Sequence, residues 1–489
     1  MGNRVAKIAD SVNGTISYGY DGLDHVTSVT TPNGSVTYSY YANGLRQTMT
    51  VSGQPTVSYA YDAGNRLTQI TQAAGAVNNN SAQTVGFAYD ADNRLIQKTL
   101  TNGIAMHYSY DNANRLTGIS YAQGQNTIGN LTYGYDAAGH RVATGGTFAR
   151  RAPTPASTSA VDAANRLSTF NGVTMQYDAN GNLLNDGTNT YNWNARNQLV
   201  QITGGTTSTF AYDALGRRQS VTVNGVASNY VYDGLNIVGE LNTGTTYLTG
   251  LGVDQMLAME SSNGAQIASY LTDALGSTIR LTDQNGSKLV DYTYSLYGAT
   301  NADASIVNPF QYAGRENDGT GLYYNRARYY SPTLQRFISQ DPSGLSAGVN
   351  MYAYVDGNPV SFIDPLGLNP FQPSTVTALE EAVLEGNVDA IQTLADAAGV
   401  NADAPLAEAT ANANKINHIF NNAAHNLDPA VKACGSPGRA LKIFQELGQQ
   451  NFPRFSSGLQ KFVVNANGVN VTVTGVMVNG VFKLGTAYR

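Results

Sequence analysis

Two histidines near the C-terminal end of the chain have side chains suited to acid–base chemistry. His418 and His425 lie in the segment KINHIFNNAAHNLD, which also contains Lys415. Cleavage of RNA by its own 2′-hydroxyl needs a base, an acid and positive charge against the phosphorane, and a histidine pair with a lysine could supply all three. The alternative is that the seven-residue spacing places both histidines on one helix face, where one of them has only a structural role.

The last residues add groups that could bind nucleic acid. The terminal segment KLGTAYR contains Thr486, Tyr488 and Arg489, which could hold a phosphate or stack on a base. A metal pair on a helix prefers an i, i+4 spacing, and no Cys or carboxylate cluster completes a site here. The sequence therefore predicts no metal and no cofactor.

A second set of chemical groups is a repeated Asp-Pro-x-Gly-Leu motif, at Asp341–Leu345 and Asp364–Leu368. Two carboxyl groups can cleave a peptide if one acts as general base and the other as general acid. Like charges held close raise one pKa, so that such a pair shares a proton near neutrality. The alternative is that each Asp-Pro only begins a turn.

The elements that carry these groups begin with a repeated unit, Tyr-x-Tyr-Asp-x-x-x-Arg-Leu. Clear copies lie at Tyr18–Asp21, Tyr59–Asp62, Tyr89–Asp90, Tyr108–Asp111 and Tyr133–Asp136, with weaker ones at Asp162–Leu167, Tyr177–Leu184, Tyr212–Arg218 and Tyr230–Val238. Tyr-x-Tyr puts two rings on one face of a strand, and the Asp can bind backbone amides in the following turn. Asn or Gly then takes a left-handed conformation, and Arg can cover an aromatic ring or pair with the Asp.

Asn-Gly pairs between the repeats predict further strand reversals. They begin at Asn33, Asn102, Asn180, Asn224, Asn263 and Asn285. The pattern resembles the YD repeats of Rhs proteins and of the C components of insecticidal toxin complexes. This resemblance implies a mainly β fold, with an antiparallel sheet that spirals into a shell over about the first 365 residues. An adhesive repeat protein with a tail that only binds a partner is the non-enzymatic alternative.

From Phe310 the sequence resembles the Rhs repeat-associated core, through YYNRARYYSP, RFISQDPSGL and DPLGL. In that family the chain cuts itself just after the second Asp-Pro motif by aspartyl-protease-like chemistry. The resemblance implies that Asp341 and Asp364 form the catalytic pair. It also implies that the Leu368–Asn369 bond is cut. Arg336 is the candidate that orients or stabilises the charged carboxyl.

The composition changes after Leu368. Residues 369–408 contain seven acids and no Lys or Arg, whereas residues 409–489 contain eight bases and two acids. The first stretch has helical periodicity and predicts an acidic spacer, and the second predicts helices followed by a three-stranded antiparallel meander. We therefore expect four regions: a repeat shell (1–309), the core (310–368), the spacer (369–408) and a small basic α+β domain (409–489).

By the order of its elements, this α+β tail resembles the barnase–EndoU–colicin–RelE group of toxin ribonucleases. It most resembles small polymorphic-toxin domains that share the segments at Lys415–Phe420, His425–Asp428 and Gly485–Ala487. The resemblance implies a metal-independent ribonuclease with His418, His425 and Thr486 in or near its site. It also implies an RNA substrate and a cognate immunity protein in the producing cell. A DNase remains the other enzymatic possibility.

Composition bears on the cellular location of such a protein. The single Cys434 excludes an internal disulfide framework, and the first residues lack the apolar stretch of a signal peptide. No run of about 18 apolar residues predicts a membrane span. We expect a secreted protein that leaves through a component of a specialised secretion apparatus, and a tail that acts in the cytoplasm of the target cell.

Overall fold

Alternating Tyr, Val and Ile positions fold into long antiparallel sheets, because side chains on a strand alternate between its two faces. The computed structural model describes residues 5–74, 82–154, 156–261, 267–304, 306–344 and 348–368, and the backbone of 460–466, 469–478 and 481–488. The chain divides into two compact units, and the last three strands belong to the second. None of the described helices is both long and apolar enough to cross a membrane.

The first sheet has 13 strands, each hydrogen-bonded to its neighbours in sequence. Its strands are β1 (Lys7–Asp10), β2 (Gly14–Tyr20), β3 (Val26–Thr31), β4 (Gly34–Tyr40), β5 (Arg46–Val51), β6 (Val57–Tyr61), β7 (Leu67–Gln72), β8 (Gln83–Tyr89), β9 (Leu95–Thr99), β10 (Ile104–Tyr110), β11 (Leu116–Gln123), β12 (Asn126–Tyr135) and β13 (Arg141–Gly145). Every pairing in it is between consecutive strands, so its contacts are local in sequence.

A small sheet and a 14-stranded sheet follow, again in sequence order. The small sheet comprises β14 (Ser159–Val161), β15 (Leu167–Phe170) and β16 (Val173–Thr174). The large one comprises β17 (Gln176–Tyr177), β18 (Leu183–Asn185), β19 (Thr190–Trp193), β20 (Leu199–Thr203), β21 (Ser208–Tyr212), β22 (Arg218–Val223), β23 (Val226–Asp233), β24 (Asn236–Glu240), β25 (Thr245–Thr249), β26 (Met256–Glu260), β27 (Ile267–Thr272), β28 (Thr278–Thr282), β29 (Lys288–Tyr294) and β30 (Thr300–Ala302).

The core region forms shorter elements around a four-stranded sheet, and the two candidate aspartates, Asp341 and Asp364, follow this sheet in the chain. Its strands are β31 (Glu316–Asn317), β32 (Tyr323–Asn325), β33 (Arg328–Ser331) and β34 (Arg336–Phe337). Two single 3₁₀ turns, at Tyr312–Gly314 and Val355–Gly357, flank this sheet.

One turn geometry explains the repeats. In the turn between β6 and β7, one oxygen of Asp62 accepts bonds from the N–H groups of Gly64 (2.9 Å) and Arg66 (3.0 Å), and Arg66 Nε donates to the other oxygen at 2.7 Å. Asn65 takes the predicted left-handed conformation, with φ +63°. The bond from the N–H four residues later recurs at Asp21, Asp90, Asp111, Asp136, Asp162, Asp178, Asp213, Asp273 and Asp283.

Tyrosine side chains connect successive repeats through ring contacts and hydrogen bonds. The guanidinium of Arg66 lies 5.2 Å from the ring of Tyr89 in the next repeat, so this arginine both pairs with its Asp and covers a ring. The hydroxyl of Tyr110 donates to the carbonyl oxygen of Leu95, in the preceding repeat, at 2.9 Å. Each repeat is therefore held by the one before and the one after.

The first sheet and the 14-stranded sheet pack against each other, and one shared apolar core lies between β4–β8 and β23–β26. It contains Val36, Met49, Val51, Val57, Tyr59, Ile70, Val85 and Phe87 from the first, and Val231, Val238, Leu248, Leu257 and Ala258 from the second. A buried ion pair crosses the same interface, where Arg46 Nη1 lies 2.5 Å from Asp233 Oδ2. Burial of this surface at about 25 cal/mol per Å² is the main force that holds the sheets together.

The fold predictions for the repeats are confirmed, and so is the terminal meander. Strands β35 (Gln460–Ala466), β36 (Val469–Val478) and β37 (Val481–Tyr488) pair antiparallel in order. The helices predicted for residues 369–408 and for the start of the basic region lie outside the described residues.

The Asn-Gly pairs occur in more than one kind of reversal. Asn224 and Gly225 form a two-residue hairpin loop with φ +49° and +85°, as predicted. Asn180 and Asn285 instead lie inside turns that begin with Asp178 and Asp283. These two pairs therefore do not lie between repeats, as predicted, but belong to the repeat turn itself.

Candidate active site

The first candidate aspartate begins a tight turn after β34. The N–H of Asp341 donates to the carbonyl oxygen of Met351 at 2.9 Å, and its own carbonyl accepts the N–H of Gly344 at 2.9 Å. One carboxyl oxygen accepts bonds from the N–H of Ser343, at 2.8 Å, and from its hydroxyl. The side chain of Asp341 is thereby fixed with one oxygen, Oδ2, left for a more distant partner.

The second candidate aspartate lies at the start of the segment that precedes the expected cut. Asp364 is 2% exposed, and its Oδ1 accepts the N–H of Leu368 at 3.0 Å. This bond turns the chain back, so that Leu368 lies beside the Asp364 carboxyl. Asn369, on the other side of the expected cut, lies outside the described residues.

Four consecutive residues of the β32–β33 hairpin hold four consecutive carbonyls of this segment. Asn325 Nδ2 donates to the carbonyl oxygen of Asp364 at 2.5 Å. The next three bonds run from Arg326 to Pro365 O, from the N–H of Ala327 to Leu366 O, and from Arg328 Nε to Gly367 O. We call residues 325–328 the clamp.

Gly367 is required by this close approach. Its φ is +70°, and a Cβ added there would lie 2.3 Å from the carbonyl oxygen of Asn325. Any other residue would have to push the segment away from the clamp. The glycine of the second Asp-Pro-x-Gly-Leu motif therefore permits the contact that fixes the chain before Leu368.

Arg328 joins the two aspartates. Its Nη2 lies 2.7 Å from Asp341 Oδ2 and 3.4 Å from Asp364 Oδ2. The same guanidinium lies 3.6 Å from the centre of the Phe337 ring and donates to Met351 O at 3.0 Å. Two buried carboxyls thus approach one cation, in a site where all three side chains are at most 3% exposed.

The electrostatics of the pair follow from burial. Burial raises the pKa of Asp341, and this effect outweighs Arg328 and the bonds from Ser343, which lower it. Burial also lowers the pKa of Arg328, although both carboxyls oppose that change. A carboxyl that retains its proton at higher pH than usual is suited to act as a general acid.

The arginine proposed from the sequence has other contacts. Nη1 of Arg336 donates to the carbonyl oxygen of Asn165 at 2.7 Å, and its backbone bridges to Ala353. The arginine between the carboxyls is Arg328, which the sequence reading missed. Its position in YYNRARYY marked it only as one of two arginines in a hairpin, because the partners lie 13 and 36 residues away in sequence.

The candidate ribonuclease residues are described only in part. His418, His425 and Lys415 lie outside the described residues. Thr486 and Tyr488 lie on β37, at positions paired with Thr474 and Thr472 of β36.

Family models match most of the repeat region. The model described as "Teneurin YD-shell" matches residues 74–360, and the one described as "RHS Repeat" matches residues 2–36. Among solved structures, a "TcdB2-TccC3" complex "without hypervariable C-terminal region" has a TM-score of 0.57 over 73% of this chain and 24% of that chain. At 19% identity this similarity shows a shared fold.

Several curated relatives are toxins by name. The "tRNA nuclease WapA" of Bacillus subtilis is 36% identical over 42% of this chain and 9% of its own length. The "Double-stranded DNA deaminase toxin A" of Burkholderia cenocepacia is 30% identical over 42% of this chain and 17% of its own length. The "Toxin protein Tse5" of Pseudomonas aeruginosa is 39% identical over 21% of this chain and 8% of its own length.

The chain spans about a tenth of the length of the first curated relatives, 11% and 9%. The family match covers more than half of the chain, and it includes Asp341 but ends before Asp364. This chain belongs to the Teneurin YD-shell family and carries Rhs/YD repeats.

Proposed function

We propose that the core of this toxin cuts its own chain between Leu368 and Asn369 and so releases the C-terminal region. The observation that supports this is the approach of Asp341 and Asp364 to the same nitrogen of Arg328, next to Leu368. The structural alternative is that each Asp-Pro only begins a turn. It gives no reason for the two buried carboxyls to share a cation.

The reaction is a hydrolysis. Ionised Asp364 takes a proton from water, whose oxygen bonds to the Leu368 carbonyl carbon, while protonated Asp341 gives its proton to the leaving nitrogen. The C–N bond breaks, which leaves a carboxyl group on Leu368 and an amino group on Asn369. Burial, which raises the pKa of Asp341, supports its assignment as the acid, and Arg328 stabilises the carboxylate that forms.

The clamp supports the same proposal by a separate route. It binds each carbonyl from Asp364 to Gly367. The backbone that leads to the reacting carbonyl of Leu368 is therefore held at four successive residues. Holding a bond in the reactive geometry can supply about 7–11 kcal/mol of the barrier in an intramolecular reaction.

We propose that the released region is a metal-independent ribonuclease. Its candidate groups are His418, His425 and Lys415, with Thr486 and Tyr488 at the end of the meander. The name "tRNA nuclease WapA" of one relative supports RNA as the substrate. A DNA-directed toxin is the second candidate, because another relative is named as a double-stranded DNA deaminase toxin.

The biological setting belongs to the same proposal. A shell (1–309) and core (310–368) carry an acidic spacer (369–408) and the toxin domain (409–489). We expect the shell to enclose the toxin until release, export through a specialised secretion apparatus, action in the cytoplasm of a target cell, and a cognate immunity protein in the producer.

Intact mass tests the self-cleavage. The parent chain should yield a fragment that begins at Asn369, whereas Asp341→Asn and Asp364→Asn should stay whole. Asp62→Asn, which changes a repeat aspartate far from the core in sequence, is the matched control and should cut like the parent. An intact parent chain, or an Asp364→Asn chain that still cuts at this bond, would falsify the protease assignment.

RNA cleavage is a separate test on the released region. The cut parent should degrade RNA in the presence of a chelator, and His418→Ala and His425→Ala chains should not, although they still cut themselves. DNA cleavage that needs a metal would favour the second candidate. An active self-cleaving chain that is inert on both nucleic acids would leave the adhesive or binding tail as the better account.

A further inference from the structure

The second clamp residue, Arg326, has an unfavourable backbone conformation. Asn325 pairs with Arg328 across a two-residue hairpin loop, and Arg326 has φ +57° at its first position. Glycine or asparagine would adopt this conformation more readily, whereas other residues are strained there. An arginine at this position suggests that its side chain has a role of its own.

That side chain connects two distant parts of the chain. Its Nη1 donates to Pro365 O at 2.5 Å, inside the segment that precedes the expected cut. The guanidinium also makes a two-pronged contact with Asp254, at 3.1 Å from Nη1 to Oδ2 and 2.7 Å from Nη2 to Oδ1. Asp254 lies between β25 and β26, so the repeat sheet supplies the anchor.

The position of Asp254 is also fixed by its backbone conformation and by its neighbours. Asp254 has a left-handed backbone, with φ +60°, and a Cβ added at Gly314 would lie 2.9 Å from its carbonyl oxygen. Arg315 Nη1 lies 2.5 Å from Asp254 Oδ1, which gives the carboxyl a second cation. Although burial raises the pKa of Asp254, the two guanidinium groups outweigh it and hold that pKa below its ordinary value.

We propose that Arg326, held by Asp254, is a positioning residue for self-cleavage: it fixes the Pro365 carbonyl and thereby the approach of Leu368 to the two carboxyls. This inference rests on the proposed self-cleavage. Arg326 touches neither reacting atom, and it acts through the segment that Arg328 also holds. Because Asp254 belongs to the repeat sheet, cleavage reaches its full rate only after β25 and β26 have folded against the core.

Arg326→Gly distinguishes the contribution of the side chain from that of the backbone conformation. It removes the guanidinium and also relieves the left-handed φ, so the hairpin backbone is less strained. The rate of appearance of the Asn369 fragment, measured by intact mass during refolding of the full chain, should fall roughly ten- to hundredfold, the effect of a small misplacement of reacting groups. The matched control is Gln335→Gly, which relieves φ +58° in the next hairpin and should cut at the parent rate.

Two further variants identify the role as positioning. Arg326→Lys retains a donor for Pro365 O and should restore part of the rate, and Asp254→Asn should slow cleavage as Arg326→Gly does. The double variant should be no slower than the slower single variant, because both act on one contact. The pH dependence of the rate should keep its midpoint in every variant, since Asp341 and Asp364, the proposed acid and base, are unchanged.

The outcomes separate this inference from the proposal beneath it. A parent chain that never cuts overturns both. A parent that cuts while Arg326→Gly keeps its rate overturns the positioning role alone, and so does a double variant with multiplied effects. Thermal unfolding of the same changes in the uncut Asp364→Asn chain checks that each variant folds.

Discussion

The Asp62 turn of the repeat sheet and the Asp341 turn of the core share two hydrogen bonds. In both, the Asp carboxyl accepts the N–H two residues later, from Gly64 at 2.9 Å or from Ser343 at 2.8 Å. Both turns are closed by a bond back to the Asp carbonyl, at 3.0 Å in the first and 2.9 Å in the second.

The two turns differ in the arginine that meets the second carboxyl oxygen. Asp62 receives Arg66, four residues later, and the hydrogen bond from that side chain lowers the pKa of Asp62. Asp341 receives Arg328 from another strand, shares it with Asp364, and has its pKa raised by burial. A structural turn becomes a candidate acid when its arginine comes from elsewhere and its carboxyl is removed from water.

The largest expected effect is the loss of the shared arginine. Arg328→Gln should slow self-cleavage by roughly a thousandfold, because no cation then stabilises the carboxylate that forms. Arg66→Gln removes the same charge from a repeat turn and is the control, which should cut like the parent. Fragment mass against time measures both. Equal rates in the two variants would show that the position of the arginine has no bearing on the chemistry.

The repeat turns could be predicted from the sequence because the residues that bond to one another are close in sequence. Asp62, Asn65 and Arg66 meet within five residues, so their contacts and the left-handed φ of Asn65 follow from spacing alone. The copies at Asp273 and Asp283 were missed, because serine replaces arginine four residues later and removes the visible end of the motif.

The site could be predicted only in part, because its partners are distant in sequence. The duplicated motif pointed to Asp341 and Asp364, but the choice of arginine depends on how β33 and β34 pack, which spacing does not determine. Arg336 is closest in sequence to Asp341, whereas Arg328 is the arginine that meets it. Contacts between residues on different strands require the tertiary fold.

The next effect compares two repeat turns that share the same Asp–Arg hydrogen bonds but differ in burial. Asp213 pairs with Arg217 at 2.7 Å with both side chains at most 7% exposed, whereas the Asp62–Arg66 pair is 24% and 32% exposed. Asp213→Asn leaves a buried cation without its charge partner, which costs about 3 kcal/mol or more. Asp62→Asn should cost clearly less, because water replaces the lost carboxylate.

Urea unfolding of both variants in the uncut Asp364→Asn chain measures this difference. The unfolding midpoint should fall strongly for Asp213→Asn and little for Asp62→Asn. Similar shifts would mean that the turn geometry, and not burial, sets the stability of each repeat.

The smallest expected effect concerns the acid itself. If protonated Asp341 is the acid, the cleavage rate falls as pH rises through its pKa, which burial places above the ordinary Asp value. The Ser343 hydroxyl donates to the ionised carboxyl and lowers that pKa. Ser343→Ala should therefore raise the pKa of Asp341 and move the alkaline fall in rate upward, by about one pH unit or less. Ser58→Ala, in the repeat sheet, should leave the profile unchanged. A shift of the Ser343→Ala profile toward lower pH would contradict the assignment of Asp341 as the acid, because loss of a donor cannot strengthen an acid that this donor stabilises in its ionised form.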